Sequence, residues 1–288
     1  MEAKRTARII GELDCSELPD FRVRLIEYPK GMWQPTHTHE QGSVTLVLSG
    51  VIEEERHSRI HVAMPFSLIV KRPGMPHSDR FGPKGCKTLQ ISLPFEFELA
   101  ECDVKTDSVI WHNDGGTSIA PMLDILRRIR MGSGLSSSDV AFCIYEALDA
   151  LPATSRNSPA PVWLGRVREM IDSADPLRPI PLARLHESVR IHPVHLTRQF
   201  KRHFGCTIRE YMQYRRIRTA ASLVAEGSMS LTEVAHQCAF ADQAHFCRAF
   251  RSVAKLTARD YRTLTKSLGH LNVANVQLSS PSKTSFSS

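Results

Sequence analysis

The chain contains no run approaching ~18 consecutive apolar residues, so nothing in it is expected to cross a bilayer as a helix. Its first twenty residues, MEAKRTARIIGELDCSELPD, have no apolar h-region, so no secretory signal is expected. No two of its seven cysteines are spaced C-x-x-C, and the number is odd, which argues against a disulfide scaffold and a zinc ribbon. These absences leave a cytoplasmic protein with no membrane partner as the expectation. At 288 residues the chain is long enough for two domains.

Charge divides the chain. Residues 1–161 carry 18 Lys and Arg against 21 Asp and Glu, whereas residues 162–268 carry 18 against 9. A basic half joined to a mildly acidic one suits a polyanion-binding domain beside a domain of another kind, although a solvated basic surface has the same composition. Within the basic half one stretch occurs twice. Residues 195–211, HLTRQFKRHFGCTIREY, and residues 245–261, HFCRAFRSVAKLTARDY, align at an offset of 50. The offset pairs His195 with His245, Arg198 with Arg248, Phe200 with Phe250 and Tyr211 with Tyr261. Two copies are too few for a solenoid, so two similar modules side by side are expected.

The acidic half reads as strands. Phe21–Ile26, Val44–Leu48, Ser67–Val70 and Thr88–Leu93 are short β-branched or alternating segments punctuated by Gly and Pro, the pattern of an antiparallel sandwich or barrel. Two motifs lie among them: Gly31, His37, His39 and Gly50, and later Gly74 and His77. Their spacing resembles the two motifs of the cupin family, a small double-sheet jelly roll. Where that family has a glutamate ligand, Ser43 stands here, and Glu40 on a strand would face the other way. His37 and His39, at i and i+2 on a strand, would share a face, and His77 would join them from afar. Such a trio suits a divalent metal with an open position, or the polar lining of a ligand cavity. Trp33 beside it would line that pocket or sit in the core.

Two amphipathic helices are expected at about 117–150, the second capped by Ser138 or Asp139. They would pack on the sheet or form a dimer interface. PATSRNSPAP at 152–161 reads as a linker. Beyond it the signals are helical. Pro193 fits a first helical position, Gly205 a C-terminal stop, and Thr207–Glu210 and Ser230–Glu233 are capping boxes. Between Thr207 and Gly227 nothing interrupts a helix of about 28 Å. Each module is therefore a short helix, a tight turn and a second helix, the helix-turn-helix pattern. The long helix would set the second helices about one duplex turn apart, for two consecutive major grooves of double-stranded DNA.

Residues 162–265, with both modules in order, resemble the DNA-binding domain of the AraC/XylS family of transcription regulators, many of which carry a cupin-like sensor first. The chain departs from that pattern at Arg190 and Ala239, where turn glycines are usual, at His186 where alanine is usual, and at Lys255 and Ala258 in place of Gly-x-x-Pro. The expected fold is α+β. An antiparallel cupin-like effector and dimerisation domain spans 1–151, the linker spans 152–161, a double helix-turn-helix domain spans 162–266 and a disordered tail spans 267–288. The resemblance implies a non-enzymatic regulator, by family habit an activator that meets RNA polymerase, working as a homodimer and answering a small-molecule or metal effector.

By groove geometry the base-facing residues would be Val194, Thr197 and Arg198 in one module and Gln243, Ala244, Cys247 and Arg248 in the other. Lys201 and Arg251 would meet phosphate, and Arg198 and Arg248 either phosphate or a guanine edge. Leu196, Phe200, Phe246 and Phe250 would be core, with His195 and His245 buried beside them. The competing enzymatic reading is a metal-dependent cupin using His37, His39 and His77. A third reading is a protein that coats DNA without sequence preference.

Overall fold

The computed structural model describes residues 7–12, 21–56, 58–95, 97, 118–131, 135–149, 161–178 and 180–266. The expected linker, save Pro161, and the expected tail lie outside them. Among the described residues seven strands come first: β1 Arg8–Glu12, β2 Arg22–Tyr28, β3 Trp33–His37, β4 Ser43–Arg56, β5 Arg59–Ala63, β6 Leu68–Lys71 and β7 His77–Ser92. All pair antiparallel along the path β1-β2-β7-β4-β5, with β3 joined to β7 and β6 to β4.

Strand β4 explains much of the layout. Its first part, Ser43–Ser49, is buried on both faces, with Ser43, Thr45 and Ser49 buried among Val44, Leu46, Val47 and Leu48. Its second part alternates. Ile52, Glu54 and Arg56 point inward while Glu53 and Glu55 are exposed, so a run that looks solvated in one dimension buries every other charge. Between the two parts the β4–β7 register slips at Val47/Ser49 and again at Gly50/Ile52. Gly50 has φ +77, and a Cβ there would lie 1.9 Å from the carbonyl oxygen of Gly85. Only glycine fits that crossing.

Among the described residues nine helices follow: α1 Ala120–Met131, α2 Ser137–Asp149, α3 Val162–Ser173, α4 Leu182–Val189, α5 Pro193–Phe204, α6 Ile208–Glu226, α7 Leu231–Gln237, α8 Gln243–Ala254 and α9 Ala258–Thr265. The cap of α2 is Ser136 rather than Ser138 or Asp139. Asp139 Oδ2 accepts from the Ser136 N–H at 2.9 Å, and Ser136 Oγ accepts from the Asp139 N–H at 3.2 Å. Asp139 is thus the far half of a capping box that starts two serines before Ser138. Helix α6 is unbroken over 19 residues, held at its start by the Thr207–Glu210 box and stopped by Gly227 in the left-handed region.

The two inter-helix turns form without glycine. Arg190 and Ala239 adopt φ of 53 and 55. A Cβ in this region costs about 1–2 kcal/mol, which the surrounding helices must offset. Ala239→Gly is therefore expected to raise stability by about 1 kcal/mol, read as an upward shift in the midpoint of denaturant unfolding. Gly50→Ala should lower it by at least about 2 kcal/mol in the same assay. A lower midpoint for Ala239→Gly would show that the turn is not strained.

Candidate nucleic-acid interface and histidine cluster

The repeated stretch folds as two modules, α4–α5 and α7–α8, joined by α6. In α5, Leu196 and Phe200 are 2% and 0% exposed and face inward. In α8, Phe246 and Phe250 do the same. The opposite faces carry Val194, Thr197, Arg198 and Lys201 on α5, and Gln243, Ala244, Arg248 and Arg251 on α8, all exposed. Gln243 accepts a hydrogen bond from Thr232 Oγ1 at 2.6 Å, which orients its amide with the NH2 free to donate. Cys247 differs from its neighbours, because it is half-buried against the apolar core.

Two expected core residues are elsewhere. His195 is exposed, its ring 6.0 Å from that of Trp163, and His245 is half-buried against the edge of Phe240. Each precedes the inward Leu196 or Phe246 by one residue, and about 100° of helical turn carries it off the buried stripe.

The modules are built alike but anchored differently. In the first, Leu164, Val167, Ile171, Leu185, Phe200 and Tyr211 close a small core of their own. The Tyr211 hydroxyl donates to Asp172 on α3 at 2.8 Å, and burial, reinforced by that carboxylate, pushes its pKa up to about 12. At the matching position the Tyr261 hydroxyl donates to the carbonyl of Leu48 on β4. Phe66, on the loop between β5 and β6, packs its ring 5.9 Å from Phe250 and 5.3 Å from Tyr261. Its own φ is +67, an outlier for so bulky a residue. Arg218 of α6 grips the same loop, donating to the Pro65 carbonyl at 2.8 Å and to Ser67 Oγ. Gly50 N–H donates to Ser222 Oγ at 3.3 Å, and Lys87 and Arg130 donate to the α9 carbonyls of Thr265 and Leu264. One apolar core consequently runs from the sheet through α1 and α2 into the second module.

At the far end of β4 and β7 the three histidines meet. Ring centroids are 4.3 Å apart for His37 and His77, 4.9 Å for His37 and His39, and 5.2 Å for His39 and His77. One nitrogen from each lies within 4.8 Å of the others. The route differs from the shared strand face the spacing suggests. Strand β3 stops at His37, and His39 lies in the following loop, where its carbonyl accepts from Gly74 N–H at 2.8 Å. That bond, made possible by Gly74 at φ +71, draws the two motifs together. Glu40 sits in the loop, exposed, and not on a strand. Trp33 is neither core nor buried lining, being 61% exposed. A one-residue bulge between Gln34 and His37 shifts the register, so Trp33 pairs with the exposed Arg80 while His37 pairs with the buried His77.

Nδ1 of His37 lies 2.8 Å from the carbonyl of Pro35, and Nδ1 of His77 lies 2.9 Å from that of Met75. A carbonyl only accepts, so each ring donates through Nδ1, which leaves Nε2 as the nitrogen available to a ligand. Burial, then the nearby Lys71 ammonium, lowers the pKa of His39 to about 4 and lowers that of His77. Rings of His37 and His77 held by Nδ1 to backbone carbonyls, and an orphaned, buried Nε2 on His77, fit a divalent metal ion.

Beside them lies a charged group that sequence reading passed over. Glu54 is fully buried, 2.5 Å from Arg56 and 2.9 Å from Lys71, and Lys71 is 3.3 Å from Asp79. Burial alone would raise the pKa of Glu54, but the two cations outweigh it and hold it below the usual range. The signal was the period-2 alternation through Ile52, Glu54 and Arg56.

A helix-turn-helix domain model matches residues 185–263. YpdC of Escherichia coli K12, an uncharacterised HTH-type transcriptional regulator, is 31% identical over 84 residues, 29% of this chain and 30% of its own. The HTH-type transcriptional activator RhaS of Salmonella arizonae is 37% identical over 67 residues, 23% of this chain and 24% of its own. The chain thus spans less than a third of the length of either relative. The solved structure of ToxT from Vibrio cholerae aligns at 14% identity over 85% of this chain and 98% of its own, with a TM-score of 0.34.

The docking of the second module depends on Phe66. Phe66→Ala should lower stability by about 3–5 kcal/mol, and Tyr261→Phe by about 1–2 kcal/mol, both measured by denaturant unfolding. Parental stability in both variants would mean that the sheet and the second module do not share a core.

Proposed function

We propose that this chain, whose residues 185–263 form a helix-turn-helix domain of the AraC/XylS type, is a sequence-specific DNA-binding regulator of transcription whose β half receives an effector. The observation that carries the reading is the pair of modules with apolar faces inward and basic or polar faces outward, set on one rigid helix. In such modules the second helix enters the major groove by its N-terminal residues. Val194, Thr197 and Arg198, and Gln243, Ala244 and Arg248, are the exposed early residues of α5 and α8. Arginine pairs with guanine, glutamine with adenine, and valine or alanine meets a thymine methyl. Cys247 lies at the margin of this surface. Lys201 and Arg251, one turn further on, meet phosphate. The base readers on α5 and α8 address two consecutive grooves.

Residues 1–151 form the receiving domain and residues 162–266 the reading domain, with 152–161 as the connection. The β half has the cupin-like pattern of glycines and histidines, and His37, His39 and His77 would hold a divalent cation. Such an ion would supply a point charge at that end of the sheet. Strand β4 joins that end of the sheet to Leu48 and Gly50, which touch α9 and α6. An effector acts on DNA binding only if it favours one docking of the second module over another. The homodimer, the cytoplasmic setting, the activating sign and the contact with RNA polymerase are carried by family resemblance.

DNA fragments selected from a random pool would supply a preferred site, and footprinting and anisotropy on it would test the assignment. Arg198→Ala and Arg248→Ala should each relax preference at their own groove by about 1–3 kcal/mol. Lys201→Ala should weaken all sequences alike and reduce the salt slope by about 1. Equal affinity of the parent for every sequence at fixed salt would replace the regulator with a protein that merely coats DNA.

A further inference from the structure

We propose that Thr232 is a positioning residue for base reading: from α7 it pins the oxygen of the Gln243 amide, so that Gln243 selects adenine over guanine. This rests on the DNA-reading surface proposed above. Thr232 Oγ1 donates to Gln243 Oε1 at 2.6 Å, and both residues are exposed. Each end of that bond is fixed from behind. The Ser230–Glu233 capping box sets the first turn of α7, and Asp242 Oδ1 accepts from His245 N–H at 2.6 Å, which sets the first turn of α8. The direction of the Thr232 hydroxyl is itself informative. Thr197, Thr219, Thr263 and Thr265, the other threonines inside described helices, each donate to the carbonyl four residues back. Thr232 stands in the first turn of α7, and the residue four back, Ser228, precedes the helix. Its proton goes to the neighbouring helix instead.

A glutamine amide has two sides, an acceptor oxygen and a donor NH2. Adenine offers the major groove an N7 acceptor beside an N6 donor, whereas guanine offers two acceptors, N7 and O6. An amide free to rotate can turn its NH2 to either base. One whose oxygen is held by Thr232 keeps a second lone pair beside the NH2. That pairing matches adenine, and at guanine it sets oxygen against O6. Glutamine also loses much rotamer freedom when it is immobilised, and a contact already made in the free protein removes part of that loss on binding. The repeat supplies the contrast. At the offset of 50, Thr232 corresponds to Leu182 and Gln243 to Pro193, and neither of those carries a side-chain donor or acceptor. The second module therefore reads one base pair that the first cannot read in this way.

The full chain is tested by fluorescence anisotropy at fixed salt on duplexes of its preferred site, varied one base pair at a time. Gln243→Ala locates the base pair that Gln243 reads, as the position whose preference it flattens. The parent is expected to favour adenine there. Thr232→Val should lower the preference for adenine over guanine roughly threefold to tenfold, with preference in the groove read by α5 unchanged. Thr232→Ser, which keeps the hydroxyl, should retain the parental preference. Thr232→Val added to Gln243→Ala should change nothing further. Parental discrimination in Thr232→Val, its loss in Thr232→Ser, an effect of Thr232→Val in both grooves or in the absence of Gln243, or a parent that favours another base there overturns the role of Thr232 and leaves the reading surface standing. A Gln243→Ala variant that flattens no position overturns the base reading by Gln243 itself, and the role of Thr232 with it.

Discussion

The structure depends on one ring. Phe66 stands in the left-handed region of backbone space, where a bulky side chain is strained, and it is held there by Phe250 and Tyr261 from the far end of the chain. Arg218 clamps the residues on either side of it. Through this contact the apolar core of the β half continues into the second helix-turn-helix module, and the two cannot be described as beads on a string. The first module closes on α3 and keeps a core of its own. A duplicated stretch has therefore acquired two different anchors, and the divergence is visible at one repeat position: Tyr211 bonds a side chain on α3, Tyr261 a carbonyl on β4.

That asymmetry bears on how an effector could be felt. The second module shares hydrophobic contacts with the sheet, so any rearrangement there competes directly with burial of Phe66, Phe250 and Tyr261. The first module is linked to the sheet mainly through α6. An unbroken helix of 19 residues transmits rotation without absorbing it, because bending it sharply would require a break in its hydrogen-bond ladder. Its arginines are largely occupied with structure: Arg215 caps the end of α3, Arg216 lies over Phe240 and bonds the strained Ala239 turn, and Arg218 reaches the β half. The outward basic residues on α5 and α8, Arg198, Lys201, Arg248 and Arg251, stay exposed.

Much of the helical half was legible in one dimension. Capping boxes, a proline at a first helical position and glycine stops depend on neighbours within about four residues, so α5, α6, α7 and α9 begin where the local chemistry says they must. The histidine trio was also legible, but for an incomplete reason. Spacing brought His37 and His39 together on paper along one strand, whereas a loop and a hydrogen bond from Gly74 do so in space. Trp33 was misjudged because a single extra residue in β3 reverses which face it presents, and a bulge leaves no mark in a five-residue strand. Glu54, Lys71 and Asp79 are not legible as a group because three charges scattered over 26 positions look like surface until β4, β6 and β7 are brought together.

By itself, then, the sequence determined the duplication, the helix boundaries in the second half and the outward facing of Val194, Thr197, Arg198, Gln243, Ala244 and Arg248, though not the places of His195 and Cys247. Those are short-range matters of periodicity and capping. Only the tertiary structure decided that one module is fused to the sheet and the other is not, that the set of histidines adjoins a buried quartet of charges, and that Phe66 is strained. Each of these joins residues far apart in the chain, and their energies come from burial and desolvation, which exist only once the pieces are packed.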